Sequence, residues 1–141
     1  MNTKQNATKK AAGFYVGLVA AVLCVAAGVI YGTKFSAIAY KETIYDPTIC
    51  TLLYVTAAIG VVLLFIPKVS FLAPVVLCLG SGCAIMMYIH MIIWPISDTI
   101  YGIEPFTHMN ELITCAVLLV LAFLLSEVSL YTKKVKEVKA A

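Results

Sequence analysis

The sequence predicts an all-helical membrane protein, a bundle of four transmembrane helices with both termini in the cytoplasm. Hydrophobic residues make up 62 % of the chain and charged residues 12 %, against roughly 45–50 % and 25 % in soluble domains. Four long apolar windows lie between the charges, and the lysines gather in alternate connecting segments. A soluble fold of 141 residues has no room for so much apolar surface, because small domains bury only about two-thirds of theirs.

Each apolar window is long enough for a helix that crosses the bilayer, since a hydrocarbon core of about 30 Å takes roughly 20 helical residues. The first window is longer than the apolar core of a typical signal peptide, so we expect it to be retained. Pro47 suits a helix start, and Trp94-Pro95 suggests the end of the third helix. A single membrane domain, 1–141, is predicted, with helices at about 11–33, 47–66, 70–96 and 110–131.

Lysine positions predict the orientation, because cytoplasmic segments are enriched in lysine and arginine. With four spans, the two tails and the link between the second and third helices share one side. That side holds eight of the ten basic residues: Lys4, Lys9, Lys10, Lys68, Lys133, Lys134, Lys136 and Lys139. The other side holds Lys34 and Lys41 with five acids: Glu42, Asp46, Asp98, Glu104 and Glu111. The protein is therefore expected in a plasma membrane, most simply a bacterial cytoplasmic membrane.

Aromatic residues near the predicted span ends are typical of anchors at the membrane–water interface. At the outer boundary these are Tyr31, Phe35, Tyr45, Trp94 and Tyr101. The chain contains no arginine, which argues against nucleic-acid or phosphate recognition.

Small residues on the first helix predict a packing face. Their spacing of three or four places them on one side, where a neighbouring helix can approach closely. The six residues are Gly13, Gly17, Ala21, Cys24, Gly28 and Gly32. Packing inside the bundle and packing in a homodimer are both compatible with this pattern.

Cys83, Met87 and His90 recur at helical spacing on the third helix. Thiolate, thioether and imidazole are the ligands that soft metals prefer, and an ionisable residue within a span is a functional candidate. Cys50 and Cys115 are expected at similar depth. One interpretation is a soft-metal or haem site; the other is that these residues fill space and His90 bonds a nearby polar group.

The predicted outer loops combine carboxylates, aromatic rings and histidine. Such groups can hold a cation or a sugar, although interface anchoring needs the same residue types. The ligand-binding candidates are His90, Trp94, Asp98, Tyr101, Glu104, His108, Tyr45 and Asp46. Glu127, near the other end of the fourth helix, is expected to snorkel or to pair with Lys68.

No catalytic or nucleotide-binding motif stands out, which favours a non-enzymatic role without a resident cofactor. The leading hypothesis is an accessory subunit or a minimal transport component. Since four spans are few for a complete transporter, we expect self-association or a larger membrane-protein partner in the lipid bilayer. The alternative hypothesis is a redox protein or a soft-metal or haem-handling protein that uses Cys50, Cys83, His90 and Cys115.

Overall fold

A computed structural model of the chain describes residues 9–41 and 43–136, and only the backbone of Lys9, Val135 and Lys136. Lys4, Glu42 and Lys139, which enter the predicted charge asymmetry, lie outside the described residues. The fold is all-helical apart from one short strand pair, and each of its four helices is long and apolar enough to cross a membrane. The helices are α1 (Ala12–Lys34), α2 (Pro47–Phe65), α3 (Leu72–Ile100) and α4 (Met109–Tyr131).

The helices form an up-and-down bundle in which neighbours in sequence are neighbours in space. Helix α1 packs on α2 and α4, and α3 packs on the same two helices, so α1 and α3 are diagonal. The chain ends pair as two short antiparallel strands, β1 (Lys9–Lys10) and β2 (Val135–Lys136). Both described ends of the chain therefore lie at the same end of the bundle.

We name the two ends of the bundle by their charges. The lysine end carries the strand pair and the α2–α3 connection, with Lys10, Lys68, Lys133 and Lys134. The acidic end carries loop 35–46, which begins with the 3-10 turn Phe35–Ala37, and loop 101–108. Its described acids are Asp46, Asp98, Glu104 and Glu111.

Helix α3 continues to Ile100, about one turn beyond the end expected near residue 96. Pro95 lies inside the helix and lacks the N–H that would bond the carbonyl four residues earlier, yet the helix continues past it. The hydroxyl of Thr99 donates to the Pro95 carbonyl at 2.8 Å. The helix ends where Gly102 adopts a positive φ of 67°, a conformation that glycine adopts readily. The extra turn carries Asp98 and Thr99 beyond the expected helix end.

Large buried side chains fill the axis of the bundle. Leu53, Leu77 and Leu119 are each at most 1 % exposed. Tyr31 and Tyr88 close the core at the acidic end, with their rings 5.8 Å apart. Many large apolar side chains instead point outward along all four helices, as expected of helices surrounded by lipid.

Two of the predicted interface anchors are core residues. Tyr31 is fully buried and Phe35 is 1 % exposed, so the prediction of interface anchoring is wrong for both. They pack against each other and against Tyr88. Trp94 and Tyr101 are exposed, as an interfacial side chain requires.

Candidate functional site at the acidic end

Two loops that are distant in sequence are joined at the acidic end. The hydroxyl of Tyr40, in loop 35–46, donates to Oδ2 of Asp98 at the end of α3, at 2.6 Å. Nζ of Lys41 lies 2.7 Å from Oε2 of Glu104 in loop 101–108. The rings of Tyr40 and Phe106 meet edge to face at 5.6 Å. A hydrogen bond, an ion pair and a ring contact thus hold the loops together.

A small recess lies between these loops. Its volume is about 180 Å³, below the roughly 300–1,000 Å³ of pockets for drug-sized ligands. One wall comes from loop 35–46 and the other from loop 101–108, and the lining residues are Ile38, Ala39, Tyr40, Glu104, Pro105, Phe106, Thr107 and His108. The recess therefore combines a carboxylate, two aromatic rings and an imidazole.

The charges around the recess are predominantly negative. Glu104 pairs with Lys41, and this hydrogen-bonded ion pair raises the pKa of the Lys41 ammonium above its ordinary value. Asp98 accepts the Tyr40 hydroxyl, and Glu111 lies 3.8 Å from Nδ1 of His108. Among the described residues, three carboxylates and one lysine lie in or beside the recess, so the local electrostatic potential of these groups favours a cation.

The extended end of α3 supports loop 101–108 from below. The backbone N–H of Phe106 donates to the Thr99 hydroxyl oxygen at 3.1 Å. The N–H of Ile103 donates to the Asp98 carbonyl at 2.9 Å. Phe106 is 7 % exposed and belongs to the core, which fixes the recess to the bundle.

Beneath the loops, Tyr31 holds the entry to α2. Its hydroxyl donates to the Ile44 carbonyl at 3.1 Å and accepts the Asp46 N–H at 2.9 Å. Asp46 caps α2 by accepting the Thr48 N–H at 2.8 Å, and hydrogen bonding to Thr48 lowers the pKa of the Asp46 carboxyl. On α4, the carbonyl of Leu112 accepts the Tyr88 hydroxyl at 2.8 Å. Buried tyrosines therefore satisfy backbone groups of the loop and of α4.

The structure divides the predicted ligand-binding residues into three groups. Asp98, Glu104 and His108 lie in or beside the recess. His90 and Trp94 are exposed on the outer side of α3, and Tyr101 is exposed just beyond its end; all three lie apart from the recess. Tyr45 and Asp46 instead contact Tyr31.

Tyr40 and Phe106 are not among the ligand-binding residues that the sequence predicts. Their contact joins positions 40 and 106 across two helices. The available signal was an aromatic residue in each of two loops beside carboxylates.

Two of the three soft-ligand residues of α3 lie toward the outer side of the helix, away from the axis of the bundle. Cys83 and His90 are exposed, and Met87 is half-buried. Cys50 and Cys115 are buried beside Tyr45 and Tyr88 respectively. Within residues 9–41 and 43–136, no group of three or more His, Cys, Asp or Glu residues could hold a metal ion.

The small-residue face of α1 packs inside the bundle. A Cβ on Gly13 would meet Thr132 and Lys133, and one on Gly17 would meet Ser129 and Leu64. Farther along the helix, Gly28 faces Tyr54 and Gly32 faces Cys50. Ala21 and Cys24, between them, are at most 1 % exposed. This face therefore serves the contacts of α1 with α2 and α4.

Glu127 has a partner on a neighbouring helix. Its Oε1 lies 3.0 Å from Sγ of Cys78 on α3, so the thiol donates to the carboxylate. The expected ion pair with Lys68 does not occur among the described ion pairs.

No protein-family model, curated protein sequence or solved structure matches this chain.

Proposed function

We propose that this chain is a multi-pass integral membrane protein that acts without enzymatic chemistry, as an accessory subunit or a minimal transport component. In this proposal it works as an oligomer or with a larger membrane protein. Both termini face the cytoplasm of a plasma membrane, most simply a bacterial one, so the lysine end is inside and the acidic end outside. The positive-inside rule supports that orientation.

The observation that carries the assembly role is an open apolar cleft on the outer surface between α1 and α2. The cleft has a volume of about 630 Å³. Alanine and valine predominate in its lining, which consists of Ala21, Val22, Val25, Ala26, Tyr54, Ala57, Ala58, Val61 and Val62. Small residues let helices approach closely in lipid, where packing drives their association. The filled axis of the bundle also favours function through surfaces between subunits.

Crosslinking in native membranes tests the assembly role. Val22 lies in the cleft and Val120 lies on α4 outside it, and both side chains are exposed near the middle of their helices. Val22→Trp should abolish the crosslinked species, whereas the matched control Val120→Trp should retain it. A strictly monomeric wild-type protein without partners would contradict the proposal.

Orientation is tested separately by cysteine labelling in intact cells. Ser36 and Lys133 are exposed at the acidic and lysine ends respectively. A membrane-impermeant maleimide should label Ser36→Cys and spare Lys133→Cys until the membrane is opened. The opposite pattern would reverse the proposed topology.

The second candidate function is a redox protein or a soft-metal or haem-handling protein. It rests on the burial of Cys50 and Cys115 beside tyrosines at the same end of the bundle and on the helical spacing of Cys83, Met87 and His90 along α3. Metal content, visible absorbance and thiol titration of the purified protein distinguish the two candidates. Colourless, metal-free protein in which all five thiols react once the chain is unfolded would reject this second candidate.

A further inference from the structure

We infer that the recess between loops 35–46 and 101–108 binds a small organic cation, specifically a primary ammonium compound, on the carboxylate of Glu104. This inference goes beyond the proposed function, because it needs only the two loops as folded and neither a partner nor a given orientation. It follows from the size of the recess, the identity of its walls and the present partner of Glu104.

The size limits the ligand to a few heavy atoms. A volume of about 180 Å³ corresponds to the space of about six water molecules at roughly 30 Å³ each. A compound with one amino group and a short polar chain fits this space. A disaccharide or a nucleotide exceeds it.

The walls suit a cation. Tyr40 and Phe106 line the recess beside the Glu104 carboxylate, so ring surface is available to the short carbon chain of such a ligand. Asp98, Glu104 and Glu111 outnumber Lys41 around the recess. An anion would meet this excess of carboxylates and be repelled.

The chain itself places an ammonium on Glu104. Nζ of Lys41 lies 2.7 Å from Oε2 of Glu104, and both side chains are about half exposed, at 62 % and 46 %. Exposed ion pairs of this kind contribute only about 0–1 kcal/mol, so a ligand ammonium can replace Lys41 at little cost. Lys41 therefore acts as a weak internal competitor for the site.

This competition predicts a gain of affinity on removing Lys41. The probe is ethanolamine, which is protonated at neutral pH. Ethylene glycol, which has a hydroxyl in place of the amino group, is the uncharged control ligand. Lys41→Gln should tighten ethanolamine binding roughly two- to fivefold, the factor that corresponds to the upper part of the ion-pair range. Lys34→Gln removes the same charge at the same end of the bundle and should leave the affinity unchanged.

Loss of the carboxylate provides the second arm. Glu104→Gln keeps the shape of the side chain and removes its charge, and should weaken ethanolamine binding roughly two- to fivefold, the factor that corresponds to the upper part of the range for an exposed ion pair. Ligand-observed NMR titration of the full chain in nanodiscs measures these affinities. Circular dichroism verifies that each variant retains its helices.

The expected pattern is ethanolamine binding that Lys41→Gln strengthens, Glu104→Gln weakens and ethylene glycol does not reproduce. Equal binding of ethylene glycol would overturn the inference. Equal tightening by Lys34→Gln and Lys41→Gln would also overturn it, because the effect would then be general electrostatics. Absence of binding in both the wild type and folded Lys41→Gln would reject the site.

Discussion

Two glycines on α3, separated by one residue, allow a direct test of how closely α2 and α3 pack. A Cβ added at Gly80 would collide with the Thr56 side chain on α2. The distance from this added Cβ to the Cβ of Thr56 would be 2.7 Å. A Cβ added at Gly82 would lie 3.4 Å from the Phe123 ring, an ordinary van der Waals distance. Gly80→Ala and Gly82→Ala are therefore a matched pair, with the same chemical change on the same helix.

The magnitudes follow from two opposing terms. Replacing glycine by alanine inside a helix contributes about 0.8–1.0 kcal/mol of helix propensity, which both variants gain. Overpacking a tight interface costs about 1–3 kcal/mol, which only Gly80→Ala incurs. Thr56 is β-branched and stiff, and rotation of its side chain does not move its Cβ, so the cost belongs at the upper end. We expect Gly82→Ala to stabilise the protein by up to about 1 kcal/mol and Gly80→Ala to destabilise it by about 2 kcal/mol.

Unfolding in mixed micelles by titration with sodium dodecyl sulfate, followed by circular dichroism, measures the difference in the free energy of unfolding. Thr56→Ala removes the two side-chain atoms nearest the added Cβ and should restore part of the loss in a double variant. Such a coupling between contacting residues typically reaches about 0.5–3 kcal/mol. Equal stability of Gly80→Ala and Gly82→Ala would refute the close packing of α2 and α3 at this point.

Three further predictions concern the acidic end and the faces of the helices. Tyr31→Phe removes the hydroxyl that bonds the Ile44 carbonyl and the Asp46 N–H. It should lower the free energy of unfolding by about 1–3 kcal/mol for each group left unpaired. A free energy of unfolding equal to that of wild type would contradict this prediction. Hydrogen bonds to Thr48 lower the pKa of the Asp46 carboxyl in the folded state below its ordinary value of 3.8. The ionised carboxylate therefore stabilises the fold fully above pH 3.8, and this contribution is lost as the pH falls through the lower folded pKa. Asp46→Asn should therefore flatten the acid limb of a stability–pH profile, and an unchanged limb would exclude this role. Cys83 is exposed and Cys115 is fully buried, so a lipid-soluble, photoactivated carbene reagent should label Cys83 in the folded protein and reach Cys115 only after unfolding. Equal labelling of the two residues would show that the assigned faces are wrong.

The helix positions followed from charge and length, because a charged residue is costly inside an apolar span. Lys10 and Lys34 bracketed the first window, and α1 occupies residues 12–34. The end of α3 was harder to predict, since Trp94-Pro95 resembles a stop. Gly102 provided the better signal, because a glycine with positive φ commonly follows the end of a helix.

The side of α3 that faces inward was not predictable from its sequence. Helical spacing groups Cys83, Met87 and His90, but this helix is apolar nearly all round, so it has no polar stripe to mark an outer side. Inward orientation is decided by packing: Gly80 and Ala84 admit the neighbouring helices. Of the three residues that suggested a metal site, Cys83 and His90 consequently point outward, whereas Met87 packs against the core.

The sequence predicted which residue types lie at the acidic end, but it did not predict that the two loops would meet and form a recess. The reason is the length of α3. Its 29 residues span about 44 Å at 1.5 Å per residue, whereas the hydrocarbon core measures about 30 Å. The excess raises Asp98 and Thr99 into the layer of the loops, where Tyr40 and Phe106 bond to them. A helix that ended near residue 96 would leave both loops without these anchors. The recess therefore depends on the last turn of α3, which the sequence pattern did not predict.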